Sequence, residues 1–69
     1  MTTPSERTLA VLQTRTFLGE LAFSNAQSGV PEHVRREAKR LLRHFPSSSD
    51  MNIAHMHTPI WFGPVEREN

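Results

Sequence analysis

Residues 3–23 read T-P-S-E-R-T-L-A-V-L-Q-T-R-T-F-L-G-E-L-A-F, and this stretch decides the fold. Thr3 suits a helix cap, because its hydroxyl can accept one of the first free backbone N–H groups. Pro4 suits the first helical position, where no donor is needed. Glu6 lies three residues past Thr3 and can reach back to it, completing a capping box. These start signals predict a helix over residues 4–23. At 100° per residue its apolar side chains do not gather into one stripe. Ala10, Val11, Phe17, Leu18, Leu21 and Ala22 form a broad arc; Leu9, Leu12 and Phe23 form a second, with Gly19 beside it. Glu6, Gln13 and Glu20 occupy a narrow polar strip between them. A helix apolar over most of its circumference needs cover on more than one side.

Downstream, S-N-A-Q-S-G-V at 24–30 reads as a loop, since Ser, Asn and Gly end helices and permit turns. Pro31 fits the first position of a second helix over 31–45, with Glu32 near the positive end of its dipole. Val34, Ala38, Leu41, Leu42 and Phe45 fall at i, i+4, i+7, i+8 and i+11, a single apolar stripe. Pro46 ends it. Two helices joined by a short loop predict an antiparallel hairpin. The expected fold is all-α: a single domain over 1–69, a two-helix hairpin with a short C-terminal extension. In that extension, Ser47 with Asp50, or Ser49 alone, can cap a short third helix through Met56. Otherwise residues 47–69 form an irregular tail, since Pro59, Gly63 and Pro64 rule out a long helix there.

The chain has 69 residues and no cysteine. A chain this short hides only about 60% of the surface its unfolded form exposes. Its own core supplies roughly 3–5 kcal/mol. Disulfides and thiolate zinc sites are excluded, which leaves tidy helix packing, a histidine metal site or a second subunit. The second arc of the first helix has two candidate covers. One is the C-terminal tail. The other is the same helix of a second copy, giving a dimer with four helices. The expected core and dimer residues are Leu9, Leu12, Phe17, Leu18, Leu21, Val34, Leu41 and Phe45. Gly19, one turn from Thr16, offers a flat spot for close helix approach. Such packing would offset the ~1 kcal/mol that an internal helix glycine costs. M-T-T-P-S-E-R-T-L-A-V lacks the basic start and apolar run of a signal peptide, and no stretch reaches ~20 apolar residues. A cytoplasmic location is expected.

The second helix carries Arg35, Arg36, Lys39, Arg40 and Arg43 against Glu32 and Glu37, five positive residues against two negative. A solvated face, an acidic protein surface and nucleic acid all fit this pattern. The formal charge of +1 and the acidic C-terminus count against nucleic acid. His33 and His44 lie about three helical turns apart, ~16 Å, and cannot share one ion. His55 and His57 lack a carboxylate at ligand spacing, so no metal and no cofactor are expected. A hairpin has no pocket for catalysis, Ser47–Ser49 have no nucleophile-elbow context, and no Gly-rich phosphate loop occurs. The expectation is a non-enzymatic protein.

Two segments carry a resemblance. T-P-S-E-R-T-x-A-V-L-Q-T-R-x-F-L at 3–18 and V-P-E-x-V-R-R-E-A-K-R-L-L-R-H-F-P at 30–46 resemble a family of small helical-hairpin proteins of proteobacteria and of Pseudomonas phages and prophages. The family has no assigned activity of its own. Size, fold and motif are also similar to those of a phage early protein that acts as a quorum-sensing inhibitor. The resemblance implies an anti-activator that binds a LuxR-type transcriptional activator (LasR-like), and also the type IV pilus assembly ATPase, PilB. Arginine and tryptophan dominate binding hot spots. The expected partner-binding residues are therefore Arg36, Lys39, Arg40, Arg43, His44, Trp61 and Phe62.

Overall fold

In the computed structural model, which describes residues 2–65, the chain is all-helical. Helix α1 spans Pro4–Ala22, α2 Glu32–Leu42 and α3 Ser48–His57, with a 3-10 turn at Ala26–Ser28 between the first two. Among the described residues there is no strand.

Each boundary has a local cause. Thr3 N–H donates to Glu6 Oε1 at 2.8 Å and Glu6 N–H to Thr3 Oγ1 at 3.2 Å, the capping box expected for α1. Hydrogen bonds from the Thr3 backbone and hydroxyl hold the Glu6 carboxyl below its ordinary pKa. After Ala22, Ser24 closes the helix by donating its hydroxyl to Leu21 O at 2.7 Å. The segment read as loop then holds one organised turn. The Asn25 side chain accepts from Gln27 N–H at 2.9 Å, and Gly29 ends the turn with φ 83°, where a side chain would strain the backbone.

The second helix is shorter than expected at both ends. Pro31 is its cap, not its first residue: with ψ 149° it is still extended, and its carbonyl accepts from Val34 and Arg35 N–H, both at 3.1 Å. The helix stops at Leu42 instead of Phe45. His44 and Phe45 N–H bond three residues back, to Leu41 O at 3.4 Å and Leu42 O at 3.3 Å, as looser turns. The physical reason is Pro46, whose ring disfavours a helical Phe45. A third helix follows at once. Ser47 and Asp50 form its capping box, with Ser47 N–H donating to Asp50 Oδ2 at 2.9 Å and Asp50 N–H to Ser47 Oγ at 3.2 Å. The expected tail continues past Val65, outside the described residues, as do the acidic residues Glu66 and Glu68.

The chain divides into two compact units. One combines α1 up to Gln13 with the chain from Pro46 onward; the other runs from Thr14 to Phe45. In the first unit Thr8 and Met51 are buried, at 2% and 3% exposure, along with Gly63. In the second the buried residues are Ala22 and Ala38, at 2% and 3%. The residues expected for core and dimer divide in the single chain. Leu12, Leu18, Leu21, Val34 and Phe45 are half-buried, while Leu9, Phe17 and Leu41 are exposed in the single chain. A short helix facing a single neighbour covers the small side chains on the contact line completely. Bulkier side chains on either side reach past the edge of that neighbour into water.

Candidate functional site

The first unit is built around a docked turn. Beyond α3, the N–H groups of Trp61 and Phe62 bond to Thr58 O at 2.9 and 3.0 Å. The carbonyls of this turn then meet α1. Arg7 donates through Nε to Trp61 O at 2.7 Å and through Nη2 to Ile60 O at 3.2 Å, and its guanidinium lies 5.4 Å from the centre of the Trp61 ring. Buried Thr8 donates its hydroxyl to Gly63 O at 2.9 Å, and Gly63 N–H donates to Pro4 O at 2.9 Å. His55 Nδ1 lies 3.0 Å from Phe62 O. A carbonyl only accepts, so this ring nitrogen carries the proton. Gly63 approaches α1 so closely that a Cβ on it would stand 2.7 Å from Ser5 N and 2.8 Å from Ser5 Cα.

These bonds fix the backbone of the turn and leave its large side chains outside. Ile60 is 80% and Trp61 62% exposed, while Phe62 is half-buried. On α3, Ile53 and Met56 are exposed too. The cleft beside the turn, lined by Leu9, Leu12 and Pro64 among others, holds about 140 Å³. That falls short of the ~300–1,000 Å³ of ordinary small-molecule pockets.

The second unit concentrates charge. Arg36 pairs with Glu32 at 3.6 Å, one turn apart on α2. Arg40 engages the Glu37 carboxylate, its Nε lying 3.0 and 3.1 Å from the two oxygens. That bond holds the Glu37 carboxyl below its ordinary pKa and raises the Arg40 guanidinium. Arg35, Arg36 and Lys39, with Glu32, Ala22 and Ser24, line an open depression of about 300 Å³. The Lys39 ammonium stands over the Phe23 ring, 6.0 Å from its centre, and Phe23 is 80% exposed.

Of the expected partner-binding residues, the structure brings Arg36 and Lys39 into this depression. Arg40 is tied to Glu37 instead. Arg43 and His44 are exposed just past the end of α2. Trp61 and Phe62 belong to the other unit. The expected site residues did not include Arg7, Thr8, His55 and Gly63, which hold the turn, Arg35, which lines the depression, or Phe23, whose ring meets Lys39. Only Arg35 had a signal, its place among the basic residues of α2. Among the described residues no three His, Cys, Asp or Glu side chains converge on a common point. No described helix is long and apolar enough to cross a membrane. Comparison with protein-family models, curated proteins and solved structures finds no match to this chain.

Proposed function

We propose that this chain is a non-enzymatic binding protein, a helical hairpin that pairs with a second copy along α1 and acts by occupying another protein. One observation carries the reading. Among the described residues, eight large apolar side chains are exposed (Leu9, Phe17, Phe23, Leu41, Ile53, Met56, Ile60 and Trp61), whereas the buried apolar side chains are Ala22, Ala38 and Met51. Scattered surface leucines need no explanation, but so much bare apolar surface over so small a core marks an association surface.

The surface for a second copy runs along α1. Leu9, Leu12, Thr16 and Gly19 follow the 3-4-3 spacing of a coiled-coil seam. Leu9 is 53% exposed, and nothing lies within 4 Å of the place where a Gly19 Cβ would stand. The open place at Gly19 lets a facing helix approach closely. A dimer presents every exposed group twice, which suits a two-fold or multi-subunit partner.

The partner is named by the resemblance of residues 3–18 and 30–46: a LuxR-type quorum-sensing activator of the LasR type, met in the cytoplasm of a host bacterium, with the PilB-type pilus ATPase as a second target. The test is titration of the purified activator, and separately of the ATPase, into the purified chain by calorimetry. Saturable binding with one copy of the chain per partner subunit is expected. No heat and no complex with either protein would overturn the assignment of partner. A second reading, a nucleic-acid accessory, draws on the Arg35, Arg36 and Lys39 depression. It predicts a gel shift that fades steeply with salt.

A further inference from the structure

We infer that the basic depression between the end of α1 and α2 is a docking site for an acidic peptide segment of a protein partner, one that carries an apolar side chain beside its carboxylates. The inference rests on the reading of this chain as a protein-binding module, and it goes on to specify the chemistry of what is bound.

Three cations face the depression and one carboxylate does, that of Glu32. Arg35 has no acidic partner among the described residues. The Glu32–Arg36 pair is loose, at 3.6 Å with side chains 78% and 73% exposed, so an incoming carboxylate can compete for Arg36 at little cost. A guanidinium is a planar fork of donors that matches a carboxylate two bonds at a time. About 300 Å³ accommodates a few side chains of a segment, not a folded surface.

Phe23 adds the second half of the specificity. Its ring is 80% exposed, and its neighbours in the chain, Ala22 and Ser24, line the depression. An apolar side chain placed next to the acidic ones would lie against this ring while the carboxylates meet Arg35, Arg36 and Lys39. Glu32 at the site and Glu37 on the same helix would repel a phosphate backbone, which counts against nucleic acid.

The test is an NMR titration of the uniformly labelled full chain with an amidated peptide in which Asp and Glu alternate with Leu and Phe. Its controls are the same peptide with Lys in place of every acid, and oligothymidylate. The acidic peptide should shift the amides of Phe23, Ser24, Arg35 and Lys39, and its affinity should fall as salt is raised. Lys39→Glu should weaken it roughly tenfold and Phe23→Ser several-fold, whereas Asn52→Ala, an uncharged exposed position on α3, should leave it unchanged. The proposal is overturned if the acidic peptide shifts nothing, if the basic peptide binds as well, or if oligothymidylate saturates the same amides more tightly. It is also overturned if neither Lys39→Glu nor Phe23→Ser weakens binding. These outcomes do not depend on self-association along α1, which is read separately from molecular mass.

Discussion

Helices α1 and α2 solve the same problem in opposite ways. In α2 the apolar residues lie on one side and charges on the other, and its exposed ion pairs are local, three or four residues apart. In α1 the apolar residues cover most of the circumference, so polar and apolar sides are not opposed across the helix. Its order is tied instead to residues more than fifty positions away, through Arg7 to Ile60 and Trp61 and through Thr8 to Gly63. The lesson is that an amphipathic helix needs one neighbour, whereas an all-round apolar helix needs several. Here a tail supplies one, and bare apolar surface remains after it.

The contrast can be broken most severely at Gly63. Any added Cβ meets Ser5 backbone atoms at 2.7–2.8 Å, and backbone cannot swing aside as a side chain would. Gly63→Ala should therefore cost about 3 kcal/mol, at the upper end for overpacking, and should undock the turn. Urea denaturation and a red shift in Trp61 fluorescence would report it. A stability equal to that of the parent chain would show that the turn does not hold α1. Thr8→Val tests the same link more gently. It keeps the shape but strips Gly63 O of its donor, for an expected loss of about 1–2 kcal/mol.

Gly19→Ala sharpens the comparison by its sign. In a lone chain the added methyl meets nothing within 4 Å and should stabilise α1 by up to ~1 kcal/mol. In a dimer packed along that side, the same methyl should raise the dissociation constant. Thermal melts at low and high protein concentration separate the two effects.

The smallest effects are electrostatic. The lowered pKa values of Glu6 and Glu37 mean that each stabilises the fold when ionised. That contribution is complete above the ordinary glutamate range and is lost as pH falls through the lower folded value. Acid should therefore loosen the first turn of α1 by releasing its capping box, and circular dichroism should show it. Glu6→Gln should remove that part of the acid response. Arg40→Ala, which breaks only the exposed local pair of α2, should lower the melting temperature far less than either Gly63→Ala or Thr8→Val.

Local chemistry was legible in the sequence and distant chemistry was not. Thr3 with Glu6, and Ser47 with Asp50, announce helix starts because both partners of each capping box lie within one turn. Pro46 announces an end but not where the last full helical bond falls, so the sequence predicts an end at Phe45 and the helix stops at Leu42. The docking of residues 60–63 was invisible in detail. Nothing in the spacing of Arg7, Thr8 and Gly63 says that they meet, and Gly63 reads as a helix breaker until Ser5 is found against it. Side-chain size does not say which apolar residues one chain covers by itself: Ala22 and Ala38 are buried, whereas Leu9, Phe17 and Leu41, expected for core or dimer, are exposed in the single chain. For the candidate site, the basic residues of α2 were plain, but their division was not: some face the depression, and Arg40 is spent on Glu37.

The central claim is that α1 keeps bare apolar surface that a second copy covers, and light scattering of the purified chain beside Leu9→Arg tests it most directly. The account predicts twice the 7.9 kDa chain mass for the parent. It predicts 7.9 kDa for Leu9→Arg, with helical content retained because Leu9 is already 53% exposed in the single chain. A parent chain that stays at 7.9 kDa at every concentration while melting cooperatively would contradict it.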